Sequence, residues 1–194
     1  MDRTLLTDEE LILAFQGGDR ECFNCLVNRY KDKLTNFIYR FTSDIDSAQD
    51  LAQDTLLKVY INKDSYREIA KFSTWIYTIA SNLAKTELRK LKRRKTYSIS
   101  DLSTDDREFV IHKSDEESFE DIEDTSVSGS ILEKSLMDLD DEFKNIIILR
   151  DIQELSYDEI SKIVELPLGT VKSRINRGRI KLQQLLKKKG ENLY

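Results

Sequence analysis

A chain of 194 residues with 35% charged side chains, six glycines and a single proline has the composition of one or two small, strongly helical domains. No apolar run approaches the roughly 18 residues of a membrane span. The opening MDRTLLTDEE has neither the basic nor the apolar region of a secretory signal, so a cytoplasmic protein without membrane insertion is expected. Phosphate-binding glycine loops, nucleophile and histidine pairs and spaced metal ligands are all missing, which argues against an enzyme and predicts no cofactor and no metal.

The net charge of −5 conceals a division. Residues 96–130 hold eleven Asp or Glu against Arg107 and Lys113, a local balance of −9, and taking −9 from −5 leaves +4 for the rest of the chain. Acid is concentrated in the middle, and base lies toward the ends of two helical blocks.

In the first block, residues 1–95, Thr7 followed by Glu10 spells a capping box, Gly17 and Gly18 break the helix, and Asp19 opens a longer one through Phe41. Cys22 and Cys25 form a CxxC on that helix. Phe23 and Leu26 continue an apolar pattern around them, no second cysteine pair follows, and His112 is the only histidine, so core packing is expected over redox or zinc chemistry. Asp44 or Asp46 caps the next helix, which runs to Tyr60 with Ala48, Leu51, Ala52, Leu56 and Val59 as its buried stripe. Asp46, Gln49, Asp50, Gln53 and Asp54 share the other side. Three acids and two amides suit docking onto a basic protein helix, and they equally suit an ordinary solvated face.

After a loop from Asp64 to Lys71, Ser73 is predicted to cap a helix that reaches the run KLKRRK. Its inner side is Ile76, Ile79, Ala80, Leu83 and Leu88, and its outer side is Trp75, Thr78, Asn82, Lys85, Thr86 and Arg89. An aromatic, an amide and cations on one face are the mixture that holds single-stranded DNA, where rings stack bases, amides read edges and cations track phosphates. The preceding loop adds Tyr66, Arg67, Lys71 and Phe72. Burial of Phe72 and Trp75 in the core is the competing reading. Residues 96–130 lack periodicity, are rich in Ser, Asp and Glu, and read as a flexible acidic linker.

The second block, residues 131–194, should hold four helices ending in LSYDEISKIVELPLGTVKSRINRGRIKLQQLL, Leu155 to Leu186. Ser156 with Glu159 is a capping box, Pro167 suits a first helical position, and the turn falls near Val164 to Leu166. In the last helix Val171, Ile175, Gly178, Leu182 and Leu185 form one buried stripe, which points Lys172, Ser173, Asn176 and Arg177 outward. No acid occurs between Leu166 and Gly190, while Lys172, Arg174, Arg177, Arg179, Lys181 and Lys187 to Lys189 do. A solvated helix would interleave acids for i,i+4 pairing, so phosphate neutralisation by a helix-turn-helix is the better account.

Three motifs in order, DIDSAQDLAQDTLLKVY, KFSTWIYTIASNLAKTELRKLKRR and LSYDEISKIVELPLGTVKSRINRGRIKL, resemble the sigma-70 family, specifically its extracytoplasmic-function group. The resemblance implies an all-α fold of two small domains, a region 2 helical bundle and a region 4 helix-turn-helix, joined by the acidic linker. It implies a transcription initiation factor that binds core RNA polymerase and directs it to promoter DNA. By the same resemblance, Asp46, Gln49, Asp50, Gln53 and Asp54 dock on the β′ clamp helices. Tyr66, Arg67, Lys71, Asn82 and Thr86 open the −10 element and capture its bases, with Trp75 supporting the loop. Thr170, Lys172, Ser173, Arg174, Asn176 and Arg177 read the −35 element, Arg179 meets a phosphate, and the second block sits on the β flap. Such proteins are commonly held inactive by an anti-sigma factor. The acidic linker is expected either to occupy a cationic nucleic-acid channel of the polymerase or to act as a spacer. The rival reading is a stand-alone helix-turn-helix regulator of duplex operators, which leaves the first block without a purpose.

Overall fold

A computed structural model describes residues 3–101 and 127–191, and among them the protein forms eight α-helices and no strand. The acidic stretch 102–126, with His112 and most of the expected linker, lies outside the described residues. Helix α1 (Asp8–Gln16) opens on a full capping box: the Glu10 N–H donates to Thr7 Oγ1 at 3.2 Å, and the Thr7 N–H donates back to Glu10 Oε2 at 2.8 Å. Gly18, at φ 105, makes the reversal into α2 (Arg20–Thr42), which Asp19 caps through the Glu21 N–H at 3.1 Å. Helix α3 (Ile45–Ile61) is capped by Asp44 rather than Asp46.

Helix α4 (Phe72–Asp101) departs from the sequence expectation at both ends. It begins at Phe72, so Ser73 lies inside the first turn, and the Phe72 N–H is satisfied from another helix by Glu9 Oε1 at 2.8 Å. At its other end no Gly or Pro intervenes, and the helix continues past the KLKRRK run to Asp101. Phe72 is fully buried, which decides its role in favour of the core. Around it the bundle is packed by Phe15, Leu26, Leu34, Phe37, Ile38 and Ile76, with Cys22 also buried as a small apolar residue.

The second block comprises α5 (Val127–Met137), α6 (Asp141–Ile147) running into a π turn (Ile148–Ile152), α7 (Tyr157–Val164) and α8 (Leu168–Glu191). Ser156 and Glu159 close the predicted capping box, with the Ser156 N–H donating to Glu159 Oε2 at 2.8 Å. The turn between α7 and α8 places Glu165 at φ 56, and the Leu166 N–H closes it on the Ser161 carbonyl at 3.1 Å. Pro167 stands one position outside α8, its carbonyl accepting from the Thr170 and Val171 N–H groups at 2.9 and 3.0 Å.

The two blocks pack directly on each other. Helix α4 is flanked by α2 and α3 and, on a further side, by α7. Ser81 Oγ donates to Asn145 Oδ1 at 3.3 Å, the Tyr77 hydroxyl donates to Gln153 Oε1, and Lys71 pairs with Glu159 at 3.2 Å. Ile160, Ile163 and Val171 consequently join one apolar core with the first block. Tyr77, Ser81 and Ala84 are buried although the periodicity of α4 alone does not select them.

Candidate nucleic-acid interface

The cations of helix α8 divide into paired and unpaired ones. Val171 and Ile175 are buried, and a Cβ on Gly178 would stand 3.0 Å from Ile147 Cγ1 and 3.2 Å from Phe143 Cβ, so glycine is what lets α8 lie close on α6. Four of the cations of α8 have an internal partner. Arg174 pairs with Glu142 at 3.0 Å, Lys181 with Asp140 at 2.5 Å and Lys189 with Asp138 at 2.7 Å. Arg179 grips Asp151 with both Nε, at 3.1 Å, and a terminal nitrogen, and that hydrogen bonding raises its pKa further. Lys172, Arg177, Lys187 and Lys188 face solvent with no ion pair among the described residues. Ser173 and Asn176 share that exposed arc, and Thr170 at its start is half-buried, its carbonyl accepting from Ser173 Oγ at 2.9 Å. A DNA duplex laid on this arc meets unpaired cations and two hydrogen-bonding side chains first. Arg174 and Arg179 would have to leave Glu142 and Asp151 to reach it.

The face of α4 is divided too. Asn82, Thr86 and Arg89 are exposed, with Thr86 Oγ1 donating to the Asn82 carbonyl at 2.8 Å. Lys85 is half-buried at the junction with the second block. Burial lowers its pKa, Arg89 adds to the lowering and Glu165 opposes it. Tyr66 corrects the sequence reading. It is 2% exposed, its hydroxyl donates to the Ala70 carbonyl at 2.9 Å, and its ring lies 5.5 Å from Trp75 and 6.0 Å from Phe72. Burial pushes its phenol up to about 12. Those contacts leave no ring face for a base, so Tyr66 supports the loop together with the half-buried Trp75. Arg67 and Lys71 remain at the loop surface, Arg67 donating to the Tyr66 carbonyl at 3.0 Å. Gln16 Nε2 braces the loop from α1, donating to the Lys63 and Tyr66 carbonyls at 2.7 and 3.2 Å.

All five predicted docking residues of α3, Asp46, Gln49, Asp50, Gln53 and Asp54, are exposed, and none of the three acids has an ion pair among the described residues. The same arc continues into Leu57, 54% exposed, and Ile61, 67% exposed. Both follow from the helical repeat, since Leu57 is four on from Gln53 and Ile61 four on from Leu57.

Family comparisons agree with this layout. Sigma-70 region 2 matches residues 26–94, and Sigma-70, region 4 matches residues 131–182. The chain is 34% identical over 179 residues to the ECF RNA polymerase sigma factor SigW of Bacillus subtilis, covering 91% of this chain and 95% of that protein. The chain belongs to the extracytoplasmic-function sigma factors. Another relative, the ECF RNA polymerase sigma-E factor of Haemophilus influenzae, is 35% identical over 90% of this chain and 92% of its own. Among solved structures, the sigma factor RpoE in complex with the anti-sigma factor NepR from Bartonella quintana matches with a TM-score of 0.64 and 28% identity, covering 85% of this chain and 96% of that one. This sigma factor therefore initiates transcription with RNA polymerase at promoters, and the stand-alone operator-binding regulator is set aside. Its relatives are sigma factors, which are not enzymes. Among the described residues no helix is long and apolar enough to cross a membrane.

Proposed function

We propose that the three exposed faces divide the work of initiation. The acid and amide face of α3 docks on the clamp helices of core polymerase, with Leu57 and Ile61 extending the contact. Arg67, Lys71, Asn82 and Thr86 open and hold the −10 element on a frame propped by Tyr66 and Trp75. Lys172, Ser173, Asn176 and Arg177, followed by Thr170, Arg174 and Arg179, read the −35 element. Residues 1–95 carry the first two tasks, 131–194 the third together with contact to the β flap, and 96–130 join them. The observation that carries this reading is the run of exposed Lys172, Ser173, Asn176 and Arg177 on α8, whose two cations have no ion pair among the described residues. The protein acts in the cytoplasm, catalyses nothing itself and is held in check by an anti-sigma factor. Supporting that partner, a relative of similar fold is known in complex with one.

The test is a pair of substitutions scored separately. Asp50→Lys sets a cation where a basic partner is expected, and like-charge contacts at an interface cost several kcal/mol. It should cut core binding and leave the isolated protein folded. Arg177→Ala should weaken −35 recognition and leave core binding intact. Undiminished core affinity in Asp50→Lys would remove the docking face.

A further inference from the structure

The outward arc of α8 is interrupted by one apolar residue. Ile180 is 50% exposed, although it follows Asn176 by four positions and Arg177 by three, and precedes Gln184 by four. At 3.6 residues per turn these side chains stand in one row, opposite Val171, Ile175 and Gly178. Ile180 is thus no displaced member of the core stripe. Lys172 and Lys187 bracket the row, and the isoleucine continues the arc of Asn176 and Arg177 by one turn.

In the major groove a branched aliphatic side chain has one base partner of its own kind, the 5-methyl group of thymine. A β-branched residue in a helix holds a nearly fixed χ1, so Ile180 presents a preformed apolar surface with little entropy left to lose. One helical turn of roughly 5.4 Å separates it from Asn176, which spans between one and two base-pair steps of about 3.4 Å. We infer that Ile180 is a specificity-determining residue that packs on a thymine methyl in the −35 element, one or two pairs beyond the bases met by Asn176 and Arg177. This rests on the reading of α8 as the −35 helix.

The test uses the full-length sigma factor reconstituted with core RNA polymerase. Its preferred −35 sequence is first selected from a randomised library, and each thymine of that sequence, on either strand, is then replaced singly by uracil. The exchange removes the methyl and leaves the hydrogen-bonding edges unchanged. One thymine should be sensitive, with holoenzyme affinity falling about fourfold on loss of a single buried methyl. In Ile180→Gln, a polar change at an exposed site, that thymine and uracil should bind alike. The inference is overturned if no thymine is sensitive, if the difference persists in Ile180→Gln, or if Ile180→Gln weakens binding to core polymerase instead. Arg177→Ala distinguishes the two levels. Where it still weakens −35 binding, only the role of Ile180 falls; where neither it nor scrambling the −35 element changes affinity, the −35 reading falls and takes the inference with it.

Discussion

The start of α4 depends on a residue 63 positions away. Glu9 accepts from the Phe72 N–H at 2.8 Å and so supplies the cap that Ser73 was expected to provide. Glu9→Ala should lower stability by about 1 kcal/mol, the usual cost of losing a cap, and should impair promoter opening more than duplex binding because the loop before α4 loosens. Thermal unfolding and a duplex-against-bubble binding assay check the two halves. Asn82→Ala should show a related but distinct defect: a pre-melted −10 bubble should rescue it only partly, since the captured base stays unread. Full rescue would confine Asn82 to melting. The capping boxes at Thr7 and Ser156 were legible in sequence because both partners lie three residues apart. The Glu9 cap was not, because no local rule links residues so distant. Tyr66 was misread for a similar reason: an aromatic beside a DNA motif has the same letter whether its ring stacks on a base or on Trp75.

At the level of elements, periodicity located the inner stripe of α8 correctly, since one helix face packed on one neighbour is what a 3.6-residue repeat reports. On α4 it found Ile76 and Ala80 but missed Tyr77, Ser81 and Ala84, because the helix is covered on more than one side: the Tyr77 ring meets Tyr30 and Phe37 of α2, and Ser81 meets Asn145 of the second block. The close approach of α8 to α6 at Gly178 gives a sharp prediction. Gly178→Val would drive a branched side chain into Ile147 and Phe143 and should destabilise the second block by about 2 kcal/mol or more, as overpacking of a filled core does. Chemical denaturation checks this. A variant as stable as the parent would mean that α6 and α8 separate easily.

The whole molecule is closed in this structure, with α7 resting on α4. The Lys71 to Glu159 pair at the seam is too exposed on its lysine side to hold the blocks together. Burial pushes the Glu159 carboxyl up, but hydrogen bonds from Ser156 and Lys71 outweigh that and hold it below its ordinary 4.5. A depressed folded pKa means that its contribution is complete above 4.5 and is lost as pH falls through the lower folded value, so the Lys71 to Glu159 pair should not respond between pH 6 and 8. Apolar packing and the buried Ser81 carry the contact, and Ser81→Lys, which buries an unpaired charge, should part the blocks and enlarge the radius of gyration in small-angle scattering. Parting also suits the function. Positions −35 and −10 lie about 85 Å apart along B-DNA at about 3.4 Å per pair, more than twice the roughly 36 Å length of the 24-residue α8. We expect holoenzyme formation to separate α7 from α4. The most direct test of the whole account is reconstitution of the purified chain with core RNA polymerase, followed by mapping of transcript starts on genomic DNA. The account predicts co-elution with core and starts that share a −10 and −35 pair absent with core alone; sequence-specific duplex binding without core association or new starts would contradict it.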